Sequence, residues 1–340
     1  MARGLLHRTF RRMCFVAAVS AIASASVPTG SPAHARDVST TRAWTIAYRA
    51  HDGRSRSATI VLPSWYGPGR DPAIPLVISP HGRGLDGSSN ARLWGALPAL
   101  GGFAVVNPDG EGSHLSGRFS WGAPEQIDDL ARMPEVVTAA LPWLRIDRRR
   151  IYAVGGSMGG QETLLLLARY PKLLAGAVAV DALVDFSRQY GNFTRLHCNA
   201  NCRRVWGGPL GRVLQGLARR ELGGTPASAP AAYAARSPLS YARVIANSCV
   251  PLQIWWSRTD RIVVDSSLQS GLLASRVRRL DPREPLEEVV GSWRHTTVMR
   301  ASSFLPAMLA GLGLLPAVDH ALPKGVQVDR APASAGTCRR

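Results

Sequence analysis

Ser157 stands in Gly155-Gly156-Ser157-Met158-Gly159-Gly160, between an apolar, strand-like run at residues 151–154 and a helix-forming run at residues 161–170. A Gly-x-Ser-x-Gly between a strand and a helix holds the serine on a tight, strained turn, because small neighbours let the flanking backbones approach closely. The pattern alone is short and also describes an ordinary glycine-rich loop, so the neighbouring chemistry has to decide. A serine hydroxyl is a poor nucleophile at neutral pH; it needs a base to take its proton and an acid to orient that base. Asp260 follows the apolar run at residues 251–257, which places its carboxylate at a strand end. An N-cap is the competing role for this aspartate, but Asp265 is better placed to cap the helix expected at residues 265–280. His295 comes after the last expected strand and before the last expected helix, where a base would sit. His320, in a proline-rich tail, is the weaker competitor.

Negative charge developing on a substrate oxygen needs preorganised donors, worth ~3 kcal/mol each when they are backbone N–H groups. Met158 offers one from the first turn of the helix after Ser157, where the helix dipole also favours negative charge. His81-Gly82-Arg83-Gly84, directly after the run ending at Ser79, offers a second through the main chain of Arg83. His81 is then a pivot for that loop, since it precedes the serine in the chain and follows a different strand.

These positions require a scaffold of a particular kind. Residues 44–48 and 57–62 alternate as two antiparallel strands joined by a turn at His51-Asp52-Gly53-Arg54. The runs at 75–79, 103–106, 151–154 and 175–180 are near-continuously apolar, as parallel strands covered on both faces must be. Helix-like stretches at 88–100, 124–144 and 158–170 separate them. Strand 251–257 with helix 265–280, then strand 286–290 with helix 296–309, extend the alternation. A doubly wound α/β sheet with right-handed crossovers follows. Residues 181–248 break the rhythm and are too long for a simple connection, so they read as a cap inserted before the acid-bearing strand, over the carboxyl ends of the strands.

The expected divisions are a signal peptide at 1–35, a catalytic domain at 36–315 and a tail at 316–340 in which only Cys338 gives a reason for order. Arg3, Arg8, Arg11 and Arg12 precede an apolar run from Met13 to Val27 and an Ala33-His34-Ala35 cleavage pattern, which predicts export; a membrane anchor is the alternative. The Arg11-Arg12 pair also loosely fits a twin-arginine signal. Across 340 residues, 46% of them apolar, the chain can bury a large core. The net charge of +18 comes almost wholly from scattered arginines, because Lys172 and Lys324 are the only lysines. That scatter argues for a solvated basic face and against a nucleic-acid groove, leaving weak adhesion to anionic surfaces as an expectation. Cys198, Cys202, Cys249 and Cys338 allow three pairings in an exported chain, of which Cys198 with Cys202 and Cys249 with Cys338 is preferred. A metal site on His197, Cys198 and Cys202 is the rival, without a second cluster at ligand spacing.

With serine, acid and base in that order, residues 43–312 resemble the α/β-hydrolase superfamily. Glu221-Leu222-Gly223-Gly224-Thr225-Pro226, and Tyr233 to Ala242 with its Arg236-Ser237-Pro238, resemble the segment before the acid-bearing strand in prolyl oligopeptidase catalytic domains and single-domain esterases related to them. The resemblance implies Ser157 as nucleophile, Asp260 as acid, His295 as base, Met158 and Arg83 as oxyanion-hole donors, and Arg236-Ser237-Pro238 as a structural brace. The chain has no room for the N-terminal propeller that gates peptide access in those peptidases, so secreted feruloyl-esterase and polyhydroxybutyrate-depolymerase types are the closer functional analogy. A secreted serine hydrolase acting on small or polymer-linked carboxylic esters, with no cofactor or metal, is therefore the expectation. A serine peptidase and a catalytically silent binding protein are the alternatives, and oligomeric state is left open. Trp65, Trp94, Trp121, Trp206 and Trp293 either line an aromatic pocket or pack the core.

Overall fold

The computed structural model describes residues 40–69, 72–111, 121–316, 322 and 325–330. The expected signal peptide, Cys338 and His320 lie outside these residues, as do most of the tail and the loop at 112–120.

Among the described residues nine strands form one sheet: β1 (Thr41–Arg49), β2 (Ser55–Pro63), β3 (Ile74–Ile78), β4 (Ala104–Pro108), β5 (Ile146–Gly156), β6 (Gly176–Val180), β7 (Leu252–Ser257), β8 (Leu286–Gly291) and β9 (Gln327–Arg330). Their spatial order is β1-β2-β4-β3-β5-β6-β7-β8-β9. The first two strands form an antiparallel hairpin, and β2 pairs antiparallel with β4. From β4 to β8 every pairing is parallel, and β9 closes the far edge antiparallel to β8. The tail is thus ordered by backbone pairing over four residues that the sequence had offered no reason to place.

The two-residue period of a strand divides the core into two layers. Leu76, Ile78, Ile151, Ala153, Ala177, Ala179 and Ile254 face helices Pro124–Ala131, Met133–Ala140, Met158–Arg169 and Ser270–Leu280. Val77, Tyr152, Val154, Val178, Val180 and Trp255 face the opposite way, against Leu97 and against Leu305, Met308 and Leu309 of helix Leu305–Gly311. A sheet buried on both faces explains why these strands read as continuous apolar runs.

Four expected helices are shorter or split; the one expected at 265–280 begins at Ser270, after a 3-10 turn at Ser266–Leu268. Residues 88–100 form two short helices, Gly87–Ala91 and Leu97–Gly101. Arg132 interrupts 124–144 at the point where Pro134 cannot donate its backbone hydrogen bond. The last helix begins at Leu305 and not at 296, because Thr296 has φ +53° and its N–H is taken by a carboxylate. Among the described residues no helix is long and apolar enough to cross a membrane.

Between β6 and β7 the inserted segment is helical, with Phe186–Asn192, Ala200–Trp206, Leu210–Leu222, Pro230–Ala235 and Ala242–Ala246. Phe186, Phe193, Leu210, Leu214, Leu222 and Tyr233 make a third hydrophobic cluster that includes Met158, the residue after the serine. Ala242, Ile245 and Ala246 return to the sheet's own core, so the end of the insertion is scaffold. Cys198 and Cys202 are joined by a disulfide, which removes both thiols from any metal site with His197. Cys249 is itself disulfide-bonded.

Candidate active site

Ser157 has φ 59° and ψ −123°, a conformation that a residue with a Cβ adopts only under constraint. The constraint is visible on both sides. Its N–H donates to Val180 O of β6 at 2.9 Å, and its carbonyl accepts from Gln161 N at 3.0 Å as the helix Met158–Arg169 starts. A Cβ on Gly156 would lie 2.3 Å from Met299 Sδ and 3.1 Å from Thr296 Cγ2, so only glycine lets the loop carrying His295 pack against the turn.

The imidazole of His295 is held by Asp260: Nδ1 donates to Oδ2 at 2.7 Å. Asp260 is buried, and its other oxygen accepts from Ile262 N at 2.7 Å and Val263 N at 3.1 Å. These bonds fix the carboxylate's orientation before it meets the histidine. Asp265, expected to cap a helix, makes no cap bond; it lies at φ 59° and pairs with Arg195. His295 Nε2, the atom that would take a proton from a serine, has no hydrogen-bond partner among the described residues. The structure therefore joins base and acid directly and brings Ser157 beside their loop without a hydrogen bond between Oγ and Nε2. A loose contact of this kind is common in unliganded sites and tightens when substrate is bound.

Sequence reasoning missed Asp181, placing it only as the start of the insertion. It ends β6 with φ 46° and is buried. Its Oδ1 accepts from Ser257 N at 3.0 Å, and its Oδ2 accepts from Trp293 Nε1 at 2.9 Å and Thr296 N at 2.7 Å. One carboxylate thus ties the ends of β6 and β7 to the histidine loop. Ser257 completes the tie: its Oγ donates to Trp293 O at 2.6 Å and lies 2.8 Å from Trp293 N. The only signal in the sequence was an acidic residue at the end of an otherwise apolar run. Asp181, Asp260 and His295 offer donor atoms within 4.8 Å of one another, a spacing that would also suit a cation. The carboxylates are already taken by N–H donors, and the cluster reads as a hydrogen-bonded network.

Burial pushes the Asp181 carboxyl up to about 6, with the charge of Asp260 adding to the rise. For His295 burial works downward, but the hydrogen bond and charge of Asp260 and the charge of Asp181 outweigh it, so the imidazole titrates above its ordinary value.

The loop expected to supply a second oxyanion donor lies against the serine. A Cβ on Gly82 would be 3.7 Å from Ser157 Cβ and 3.6 Å from Gly156 O. His81 is buried with Nε2 donating to Asp109 O at 2.6 Å, which suits a pivot. Behind it, Asn90 Nδ2 donates to Ser79 O at 3.0 Å and to Asn107 Oδ1 at 2.9 Å, a buried polar cross-link between the ends of β3 and β4. The Arg83 side chain turns away to stack 3.6 Å over the Trp121 ring and to approach Glu221 at 3.4 Å. Burial lowers its guanidinium to about 9. Met158, first in its helix, has an N–H with no acceptor available in the preceding turn.

The expected brace also has a physical form. Arg236 O accepts from Gln161 Nε2 at 2.6 Å, and Ser237 Oγ donates to Tyr233 O at 2.8 Å and accepts from Phe186 N at 2.9 Å. Of the tryptophans, Trp94 packs on Phe103, Trp121 on Phe186, and Trp293 on Trp255 and Phe304. Trp65 stands edge-on to Tyr66. Packing accounts for all four.

A parallel sheet of this order is the α/β-hydrolase fold, here with a strained serine after β5, an aspartate after β7 and a histidine after β8. Residues 92–203 match the model of the prolyl oligopeptidase family, and the fold is that of an α/β-hydrolase. Similar solved structures include the acylaminoacyl peptidase of Pyrococcus horikoshii, at 17% identity and a TM-score of 0.58 over 77% of this chain and 39% of that one. A puromycin-hydrolyzing peptidase of Mycobacterium tuberculosis is 19% identical, with a TM-score of 0.59 over 86% of this chain and 41% of that chain. The S-formylglutathione hydrolase of Staphylococcus aureus is 17% identical, with a TM-score of 0.55 over 81% of this chain and 100% of its own. The chain spans about two fifths of the length of the peptidases and the full length of that S-formylglutathione hydrolase.

Proposed function

We propose that this protein is a cofactor-independent serine hydrolase that cleaves carboxylic esters through an acyl-enzyme. The observation that carries the reading is the strained backbone of Ser157 packed beside the loop that presents the Asp260-held imidazole of His295. Ser157 Oγ attacks the carbonyl carbon as His295 Nε2 takes its proton, and the carbonyl π electrons move to oxygen. Met158 N–H and Arg83 N–H receive that oxyanion. The leaving oxygen departs with the proton from His295, and a water molecule, activated the same way, frees the acid and restores the serine. Asp260 keeps the imidazole in the tautomer with its proton on Nδ1 and stabilises the imidazolium between the two transfers.

Substitution Ser157→Ala should lower turnover of a p-nitrophenyl short-chain ester by at least ~10³-fold and abolish labelling by a fluorophosphonate probe. Retained labelling in that variant would remove the nucleophile from the scheme, and absence of labelling in the unaltered protein would favour a catalytically silent hydrolase fold. A peptidase is the second reading, favoured by the family match over residues 92–203 and by the peptidases among the similar structures. Peptide p-nitroanilides assayed beside esters separate the two, since a peptidase cleaves the amides with comparable kcat/KM.

Export remains part of this proposal, on the arginine-led apolar segment and the Ala33-His34-Ala35 pattern. The Cys198–Cys202 disulfide supports it, because such bonds persist in oxidising compartments. N-terminal sequencing of the protein recovered from culture medium tests it, with Arg36 as the expected first residue.

A further inference from the structure

The loops that carry the base and its acid each bring an arginine to the same cavity. Arg261 follows Asp260 and Arg294 precedes His295, so their positions are fixed by the two residues whose hydrogen bond closes the site. With Thr259, Ile262, His295 and Thr297 they line a cavity of about 660 Å³, in the range of small-molecule sites. Both arginines are exposed, and among the described residues neither guanidinium makes a hydrogen bond or an ion pair. The acids around these two loops point to other partners: Asp260 holds His295, Asp181 holds Trp293 and Thr296, and Asp265 pairs with Arg195. The cavity is therefore flanked by two guanidiniums with no carboxylate in direct contact, while the charges of Asp260 and Asp181 lie behind His295. Arginines are plentiful in this sequence, and one alone would mean little. Two from separate loops around one concavity, each adjacent to a residue of the His–Asp pair, present two guanidinium forks able to receive an anion where a ligand has room to sit.

Chemistry then says which part of a substrate occupies that space. The imidazole delivers its proton to the leaving atom, so the leaving group must lie on the side of His295, and this cavity is lined by His295. We infer that the cavity is a leaving-group subsite selective for an anionic group, and that the preferred substrates release an alcohol or amine bearing a carboxylate or a phosphate. A planar guanidinium fork suits either anion. The inference rests on the serine-hydrolase reading and names the substrate class of that site.

Esters of one short acyl chain with 3-hydroxyphenylacetate, with its neutral amide and with its trimethylammonioethyl amide test the charge, because the methylene keeps the phenols similar as leaving groups. A 3-hydroxybenzyl phosphate ester tells phosphate from carboxylate. In low salt, kcat/KM for the carboxylate ester should exceed that for the neutral amide by about tenfold and that for the cationic ester by more. The preference should shrink as ionic strength rises. In the double variant Arg261→Gln/Arg294→Gln, the anionic-to-neutral ratio should fall to near one, read alongside circular dichroism that shows the fold intact. Equal kcat/KM for all three charges in the unaltered protein overturns the inference while leaving the hydrolase reading in place. If none of the esters is cleaved and Ser157 is not labelled, it is the hydrolase reading that has failed. A ratio that persists in the double variant also overturns the assignment, since the selectivity then arises elsewhere.

Discussion

At Ser157 the chain holds a non-glycine residue at φ 59°, ψ −123°, a conformation that costs of order 1–3 kcal/mol. That strain separates two substitutions of equal chemical effect. Ser157→Gly should raise stability by about 1 kcal/mol in denaturant unfolding, whereas Ser157→Ala should leave it nearly unchanged, and both should lack activity. Neighbouring acids set the pH response. A base must be neutral to act, so kcat/KM should fall as pH drops through the His295 value, which the Asp260 and Asp181 charges hold above the usual 6.5. Asp181→Asn removes one of those charges. Its acid limb should move to lower pH, and kcat should also fall, because an amide cannot accept all three N–H donors now shared by the two oxygens.

Among the elements, the joints of the insertion carry more than its helices. Gln269 is wholly buried before helix Ser270–Leu280, and its Oε1 accepts from Val184 N at 2.9 Å and Asp185 N at 2.7 Å. Its Nε2 donates back to Asp185 O at 3.1 Å, so one side chain satisfies the backbone where the insertion leaves β6. Gln269→Leu would strand those groups and should cost about 2–4 kcal/mol by chemical denaturation. Gly156→Ala acts at the turn after β5. Its Cβ would displace Met299 and Thr296, moving the base away from the serine, and should lower kcat more than it raises KM.

Over the whole molecule, the sheet is protected at its β8 edge by β9, whose Val328 opposes Val289. Arg330 pairs with Glu287 across the two strands, and Arg278 of helix Ser270–Leu280 pairs with Asp329; each has one partner well exposed and is worth little. Val328→Pro breaks the pairing and should lower Tm by a few degrees, with concentration-dependent light scattering on heating as the β8 edge opens. The net charge of +18 predicts binding to anionic vesicles or wall polymers that salt of physiological strength largely releases.

By itself the sequence determined the parallel strands and the placing of Ser157, Asp260 and His295 after successive strands, because a strand buried on both faces must be apolar throughout and a strained turn must be flanked by small residues. It also pointed to the Cys198–Cys202 bridge, since four residues of separation leave little geometry to choose. Only the tertiary structure decided the role of Asp181: an acid at the end of an apolar run has no local pattern to mark it, and its three donors come from β7 and the loop after β8. Local propensity likewise offered Asp265 as a cap until Arg195, 70 residues earlier, claimed its carboxylate. The same holds for β9, which is exposed along its length and exists because β8 offers it an edge. Periodicity records how much of an element is buried, but partners distant in the chain are set by packing alone.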